Sequence, residues 1–400
     1  MQEHFSILIV AGEVSGDRQG AFLARAILGL DPGVKLYGAG GDEMSQAGVD
    51  LRLRTSNLGS VGVQESLPYL WSLRRAFRRM KDLVKSERPD VAVLIDNETF
   101  SMALARTLKQ QNIPVIFYFP PQVSLWGRWR TRQVVRVAGL IVAPFQAEVE
   151  AYRKAGARVV CGGHPLLDIV KPALDPTLAF TRVGLDPLRP TAALLPGSRV
   201  EELRHIAPVM LSAARILKRR FSQLQIVLPL AAPHCRVEVE RQISAAGMSG
   251  EVTVIPGDAY TILSRCAVAL VKAGTATLET ALLSIPMVAA YRLSTLSYWV
   301  ALMVAHTRFI AMPNILLGQS VVPEFRQREA TGERLAAAAL RILEDATYAA
   351  DLRVQLGRVR AILGPPGAVD RAAALVLAEA SRTRPQRGIA RVAAGSVAAP

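Results

Sequence analysis

The chain has 400 residues, half of them hydrophobic, and its 48 lysines and arginines outnumber its 33 aspartates and glutamates to give a formal net charge of +15. This length suits two domains of ordinary size. The three scattered cysteines argue against a disulfide framework or a zinc site. Neither a membrane-spanning apolar run nor a signal peptide is expected. A basic protein binds nucleic acid, anionic lipid or phosphorylated substrates; because no RNP motif, zinc finger or basic heptad is present and many cations adjoin apolar residues, we expect a cytoplasmic protein that meets a membrane surface and no nucleic acid.

The first half of the chain alternates apolar runs with helical segments about six times, which predicts a doubly wound α/β sheet. Its first strand covers Phe5 to Val10, and a glycine-containing loop, Ala11–Asp17, leads into a helix from about Gly20. A strand, a glycine loop and a helix in this order can hold a ligand at the end of the strand. The loop lacks the GxGxxG pattern, so it does not indicate a dinucleotide, and a turn for close packing is the alternative.

A predicted helix from about Leu67 to Ser86 carries an apolar stripe beside a dense basic face. One interpretation is an interfacial helix that lies on a membrane, with Trp71 close to its start. The alternative is an ordinary amphipathic helix that packs on the sheet and leaves its cations in water. Its cations are Arg74, Arg75, Arg78, Arg79, Lys81 and Lys85.

A carboxylate, Asp96, directly follows the buried strand Val91–Ile95. Doubly wound sheets bind ligands beyond the carboxyl ends of their strands, and a pKa raised near an apolar surface would suit Asp96 to general-base work. The alternative is that Asp96 caps the next helix, which starts near Phe100. Later strands are predicted at 114–119, 140–143 and 159–163, and His164 follows the last of them.

A linker from about Lys171 to Pro190 is expected before a second strand–helix series. The first strand of that series is followed by Leu-Pro-Gly-Ser-Arg at 195–199 and then by a helix. The N–H groups at a helix start suit an anion, and Arg199 adds a fork-shaped cation that fits phosphate. Ser198 is the predicted N-cap with Glu201 as its capping-box partner. A plain turn with a solvated Arg199 is the alternative.

A second loop of this kind follows the strand predicted at 267–271, where Lys272 to Glu279 has the sequence KAGTATLE. Its N–H groups can take phosphates and Glu279 can take ribose hydroxyls, although a tightly packed turn is the alternative. Two such loops in one domain favour a nucleotide site. Further strands are predicted at 225–228, 252–255 and 286–289.

The last quarter of the chain begins with an apolar, aromatic segment, Leu293–Ala305, which is too short to span a bilayer. The stretches 312–318 and 322–325 follow, and helices are predicted to about Arg382. Arginines among Ala, Gly and Ser predict a disordered basic tail over 383–400.

Taken together, these stretches resemble the lipid-A-disaccharide synthase family, glycosyltransferase family 19, over about Ile7 to Leu375. The matching stretches, in the family's order, are 11–17, 95–96, 121–123, 163–168, 195–199, 273–279, 312–318 and 323–324. The resemblance implies a GT-B fold, with two Rossmann-like doubly wound domains. Residues 1–170 would bind the acceptor and the membrane, 190–344 would bind the UDP-sugar, and C-terminal helices at about 345–380 would cross back to the first domain.

The resemblance also implies an inverting transfer that needs neither metal nor cofactor. The enzyme would move 2,3-diacylglucosamine from UDP to the 6-hydroxyl of 2,3-diacylglucosamine 1-phosphate, giving a β(1→6) disaccharide and UDP. Asp96 falls on the family's essential aspartate, the candidate base, and Arg199 on an essential arginine, the candidate for the diphosphate charge. Such acylated substrates imply a peripheral protein on the inner face of the cytoplasmic membrane. The resemblance leaves a homodimer open.

Besides these two catalytic candidates, the stretches predict binding and membrane-facing positions and no metal ligand. The substrate- or nucleotide-binding positions are Gly12, Ser15, Gly16, Asp17, Glu65, His164, Gly197, Ser198, Gly274, Thr275, Ala276, Glu279, Asn314 and Glu324. The membrane-facing positions are Trp71, Arg74, Arg75, Phe77, Arg78 and Trp299.

Several departures from the family pattern keep other functions open. The family's Asp-Ala-Pro-Asp-Phe-Asn is here Asp-Asn-Glu-Thr-Phe-Ser from Asp96, its Trp-Ala-Trp-Arg run is altered at 124–128, and its Leu-Pro-Phe-Glu ends here in Gln146. Ala273 replaces the serine of its Ser-Gly-Thr loop, beside an unusual Lys272. The alternatives are a transferase with another acceptor, a sugar-nucleotide epimerase, or a non-catalytic paralogue that binds nucleotide sugar or lipid.

Overall fold

The computed structural model describes residues 4–395 apart from 13, 56–69, 96–97, 126–127, 173–174, 231, 257–258 and 293–306. The chain forms two compact units. The first contains the described residues up to Pro165 and those from Pro365 onward, and the second contains those from Leu166 to Gly364.

The first unit is built on a parallel sheet. Its strands are β1 (Ser6–Ala11), β2 (Lys35–Gly40), β3 (Asp50–Arg54), β4 (Val91–Ile95), β5 (Val115–Tyr118), β6 (Leu140–Ala143) and β7 (Val159–Cys161). They lie in the order β3-β2-β1-β4-β5-β6-β7. Strands β1 and β4 are apolar along almost their whole length because helices cover both faces of the sheet. Their register pairs Ala11 with Ile95.

The helices of the first unit lie in two layers, one on each face of the sheet. They are α1 (Val14–Leu30), α2 (Asp42–Gln46), α3 (Leu70–Glu87), α4 (Glu98–Gln110), α5 (Thr131–Val137) and α6 (Gln146–Lys154). Side chains of α1 pack into the core on one face, and side chains of α3, α4, α5 and α6 pack into the core on the other. Each layer therefore buries one apolar stripe of its helices.

The second unit repeats this design with a six-stranded parallel sheet. Its strands are β8 (Thr191–Leu195), β9 (Gln225–Leu230), β10 (Val252–Pro256), β11 (Val268–Lys272), β12 (Met287–Tyr291) and β13 (Glu324–Arg326). They lie in the order β10-β9-β8-β11-β12-β13. The two doubly wound units confirm the predicted fold class.

The helices of the second unit correct two predictions. They are α7 (Leu166–Ile169), α8 (Pro176–Arg182), α9 (Val200–Arg220), α10 (Arg236–Ala245), α11 (Tyr260–Leu263), α12 (Thr275–Leu282), α13 (Met312–Leu317), α14 (Gly332–Glu344) and α15 (Ala346–Ile362). Helix α8 lies inside the predicted linker, where Asp175 caps it and Pro176 occupies its first turn. Helix α15 contacts α12, α13 and α14, so the chain from 345 to 364 belongs to this unit and not to the first.

The C-terminal helix α16 (Ala368–Gly395) returns to the first unit and contacts α1. Its buried Ala372, Ala373 and Val376 belong to the core beside that helix. The predicted return is thus confirmed for α16. Helix α16 runs to Gly395 and so overlaps the tail predicted over 383–400.

Candidate active site

The strand order of the first unit reverses between β1 and β4, and ligands of doubly wound sheets bind beside such a reversal. Gly12 follows β1 at this point, whereas Ser15 and Gly16 lie in the first turn of α1, which starts earlier than the helix predicted from about Gly20. Ile95, the last residue of β4, lies beside Ala11. Asp96 and Glu65 lie outside the described residues, so their predicted roles remain predictions.

Asp17 holds the loop after β2 in place. Its carboxylate accepts the backbone N–H groups of Gly41 at 2.6 Å, Glu43 at 3.1 Å and Met44 at 3.3 Å, at the start of α2. Burial raises the pKa of Asp17, although these three hydrogen bonds act in the opposite direction. These bonds give Asp17 a structural part in this loop, and its predicted part in binding stays a prediction.

His164 is buried where the chain leaves β7, with the rings of Phe119 and Phe145 centred 5.5 and 5.2 Å away. Burial lowers the pKa of His164 to about 3, so its imidazole is neutral at physiological pH. Gly163 precedes it with a φ of +77°, and Arg371 of α16 donates to the Gly162 carbonyl at 3.0 Å. The returning helix therefore supports this strand end.

Sequence reasoning missed a buried carboxylate beside the altered 124–128 run. Glu148 of α6 accepts hydrogen bonds from both the backbone N–H and the hydroxyl of Ser124. Burial raises the pKa of Glu148, while the bonds from Ser124 oppose that change. On the same helix, the Tyr152 hydroxyl donates to the Pro121 carbonyl at 2.8 Å. These contacts hold the loop after β5.

The strand order of the second unit reverses between β8 and β11, which places the two predicted nucleotide loops side by side. Leu195, at the end of β8, pairs with Val271 near the end of β11. The loop of Gly197, Ser198 and Arg199 therefore starts next to the loop of Gly274 and Thr275. Sequence reasoning identified both loops, and the sheet order explains why they converge.

Glu202, which sequence reasoning missed, organises the first of these loops. It is buried and accepts from Lys272 Nζ at 2.7 Å, Arg199 Nη1 at 3.1 Å and the Ser198 N–H at 3.3 Å. Burial alone would raise the pKa of Glu202, but the charges of Lys272 and Arg199 outweigh it and the pKa is lowered. Gly197 has a φ of +117°, and a Cβ there would overlap the Glu202 carboxylate.

The predicted capping box is wrong. Helix α9 has Arg199 as its N-cap, without a side-chain cap bond. Glu202, one residue beyond the expected Glu201, receives the Ser198 N–H instead. The same carboxylate also accepts from Lys272, so it joins this loop to β11.

The second loop begins α12 with Gly274 as the N-cap at a φ of +148°, a conformation that favours glycine. The Thr277 hydroxyl donates to the Gly274 carbonyl at 2.7 Å and accepts the Met312 N–H at 3.1 Å. Thr275 is exposed, whereas Ala276 and Glu279 are half-buried. The first N–H groups of a helix have no partner within it, so the exposed start of α12 at Thr275 suits an anion.

Asn314 and Glu324 hold each other and the chain around them. Asn314 is fully buried; its Nδ2 donates to Glu324 Oε1 at 2.8 Å, and its Oδ1 accepts the N–H groups of Val321 and Val322. Glu324 also accepts the Ala311 N–H at 2.9 Å. These side chains join α13 to β13, and their predicted part in binding stays a prediction.

Helix α3 separates its apolar and basic faces. Ala76, Met80 and Val84 pack into the core, and the Phe77 ring meets Phe100 edge-on at 6.2 Å between centroids. The Phe77 ring is thus half-buried against this core, and its predicted membrane-facing role stays a prediction. The exposed face carries Arg74, Arg75, Arg78, Arg79, Lys81 and Lys85. The Trp71 side chain and Trp299 lie outside the described part of the chain.

Within the described ranges of the chain, no helix is both long and apolar enough to cross a bilayer. In the same part of the chain, no three His, Cys, Asp or Glu side chains are grouped so that they could hold a metal ion.

Comparison with solved structures defines the class of the fold. A putative UDP-N-acetylglucosamine 2-epimerase from Listeria monocytogenes superposes with a TM-score of 0.64 at 13% identity, covering 94% of this chain and 96% of that one. Glycyrrhiza uralensis UGT73P12, in complex with glycyrrhetinic acid 3-O-monoglucuronide, superposes with a TM-score of 0.60 at 10% identity, covering 99% of both chains. The two doubly wound units and the helix that returns from one to the other define a GT-B protein.

Sequence comparison identifies the family. The model of the lipid-A-disaccharide synthetase family matches residues 7–363. The lipid-A-disaccharide synthase of Geobacter sulfurreducens is 37% identical over 371 residues, covering 93% of this chain and 96% of that protein. The chain belongs to the lipid-A-disaccharide synthetase family, and this makes it a hexosyltransferase of lipid A biosynthesis.

Proposed function

We propose that the protein transfers 2,3-diacylglucosamine from UDP to the 6-hydroxyl of 2,3-diacylglucosamine 1-phosphate, with inversion at the anomeric carbon. The products are the β(1→6) disaccharide 1-phosphate and UDP. One observation carries the proposal: a chain of this family places Arg199 and the Gly274 loop side by side at the strand reversal of its second sheet. This is where a doubly wound domain binds a nucleotide.

The proposed chemistry needs a base for the acceptor and charge stabilisation for the leaving group. A sugar hydroxyl is a weak nucleophile, so a base that takes its proton during attack lowers the barrier. Asp96, which follows β4 directly, is the proposed base. The UDP leaving group gains negative charge as the glycosidic bond breaks, and Arg199 is proposed to stabilise that charge. The transfer is proposed to need no metal ion.

Exchange of Asp96 and Arg199 tests these roles. We expect Asp96→Ala to lower kcat by at least about a hundredfold, because general bases contribute that much, while UDP binding stays intact. Arg199→Ala should lower kcat/KM by about a hundredfold and weaken UDP binding. Asp186→Ala is the control, because Asp186 precedes β8 whereas the first loop follows that strand. Unchanged turnover in either variant would remove that residue from the reaction.

The basic face of α3 supports a peripheral position on the inner face of the cytoplasmic membrane, where acylated substrates lie. Its apolar side is occupied by the core, so we propose that attraction to anionic headgroups brings the protein to the bilayer. A surface cation contributes about 1 kcal/mol to such binding. The joint exchange of Arg75, Arg78 and Arg79 for Gln should therefore weaken binding to anionic vesicles about a hundredfold.

The control for that test removes the same charge from exposed positions of the second unit, by exchange of Arg219, Arg220 and Arg353 for Gln. Binding to vesicles of neutral lipid should be weak for all the proteins. If the α3 variant binds anionic vesicles as tightly as the control variant does, this face does not dock on the membrane.

A further inference from the structure

Lys272 lies where the two nucleotide loops of the second unit converge. It is the last residue of β11, the strand that neighbours β8 at the reversal of the sheet. Its Nζ lies 2.7 Å from Glu202 Oε1 and 5.5 Å from the centre of the Tyr291 ring. Gly274 follows two residues later, and a Cβ at Gly274 would stand 3.6 Å from the same ammonium. The ammonium thus lies beside the glycine loop.

Glu202 holds Lys272 and Arg199 with one carboxylate. The exposed fractions of the three side chains are 8% for Glu202, 16% for Lys272 and 19% for Arg199. The two cations are therefore partly accessible to solvent, whereas the carboxylate between them is almost inaccessible. One negative charge shared by two positive charges leaves this group with a net charge of about +1, in a place where few waters screen it.

A charge arrangement of this kind suits a polyanion. A buried carboxylate that grips two long side chains fixes their positions before a ligand arrives, which lowers the ordering cost of binding. The N–H groups at the start of α12 add a partial positive charge beside Lys272. A nucleoside diphosphate carries more negative charge than a single arginine can match, so a second fixed cation has a direct use.

We propose that Lys272 is a second cation for the diphosphate of the donor, held in place by Glu202. This inference rests on the proposed function, since it assigns a contact to the same UDP-sugar. Arg199 and Lys272 would bind the diphosphate from neighbouring strands, one from the loop after β8 and one from β11.

The test measures UDP binding to the full-length protein by calorimetry at low and at moderate salt. Lys272→Met should weaken UDP binding about tenfold, equal to about 1.4 kcal/mol, and should flatten the salt dependence because one charge contact is lost. Lys272→Arg should recover most of the affinity. Lys218→Met is the matched control, because Lys218 is 24% exposed in the same unit and pairs with Glu251 at 3.2 Å; its UDP affinity should not change.

Thermal unfolding is recorded for every variant. If Lys272→Met unfolds because Glu202 loses a partner, the double variant Lys272→Met with Glu202→Gln replaces it, and the same tenfold loss is expected. Unchanged UDP affinity in the folded variant overturns the inference, as does an equal loss in Lys272→Arg, since that variant keeps the charge. Failure of the unmodified protein to bind UDP would instead overturn the donor site of the proposed function.

Discussion

Removal of the Glu202 carboxylate should destabilise the second unit more than removal of any exposed carboxylate. Glu202→Ala leaves Lys272 and Arg199 without their shared partner and leaves the Ser198 N–H without its acceptor. Breaking a buried ion pair by removing one partner costs about 3–5 kcal/mol. Both cations keep some exposure to solvent, so we expect the lower end, about 3 kcal/mol.

Calorimetric unfolding at pH 7 checks this value. For a unit of this size, 1 kcal/mol corresponds to a change in Tm of roughly 2–4 °C, so Glu202→Ala should lower the Tm of the second unit by about 6–12 °C. Glu251→Ala is the matched control, because it removes a carboxylate that is 47% exposed and paired with Lys218. That variant should lose less than about 1 kcal/mol. Equal losses in the two variants would refute the organising role of Glu202.

Three further predictions concern side chains whose contacts are equally well defined. The pKa of Glu202 is lowered in the folded protein, so the charged carboxylate stabilises the fold at pH values above its pKa in the unfolded chain. The difference in Tm between the unmodified protein and Glu202→Gln should therefore shrink as the pH falls below about 4. Asp17→Ala removes the acceptor of three N–H groups at the start of α2. It should lower the free energy of unfolding of the first unit, measured with urea, by about 2 kcal/mol. An equal loss in the exposed Asp42→Ala would contradict this prediction. Asn314→Ala breaks four hydrogen bonds of a fully buried side chain and should cost about 3 kcal/mol, measured as a lower urea midpoint; retention of the original midpoint would show that the Asn314–Glu324 contacts do not hold this region.

The fold could be predicted because its signals are local. The central strands β1, β4, β8 and β11 are short apolar runs, and the helices between them dictate parallel pairing. The reversal of strand order then brings the loops after neighbouring strands together, so that glycine and hydroxyl residues at strand ends predict both nucleotide loops. The short strands β3 and β13 were missed because their residues alternate or mix polar and apolar types.

The contacts that organise the site could not be predicted because they join distant residues. Glu202 and Lys272 are 70 positions apart, and no local rule pairs them. The capping-box rule selected Glu201 because it assumes that the helix starts after Ser198, whereas α9 starts one residue later, at Val200. Asn314 and Glu324 were recognised as a pattern, but only their hydrogen bonds show that they hold each other.

The amphipathic pattern of α3 also allowed two interpretations, and the sequence alone could not distinguish between them. An apolar stripe next to cations occurs both in helices that lie on membranes and in helices that pack on a sheet. Packing of Met80 and Val84 into the core decides for the second reading on the apolar side. The exposed arginines on the basic face of α3 still suit the membrane interpretation, as an electrostatic contact with lipid.

Turnover of UDP-2,3-diacylglucosamine with 2,3-diacylglucosamine 1-phosphate tests the central proposal most directly. The assay uses the full-length protein in detergent micelles with a chelator present, and follows both UDP and the lipid product. The proposal predicts UDP and the β(1→6) disaccharide 1-phosphate in equal amounts, at a rate that the chelator does not change. Saturable UDP binding without any disaccharide would contradict the proposed acceptor, and a rate that requires added metal would contradict the metal-independent mechanism.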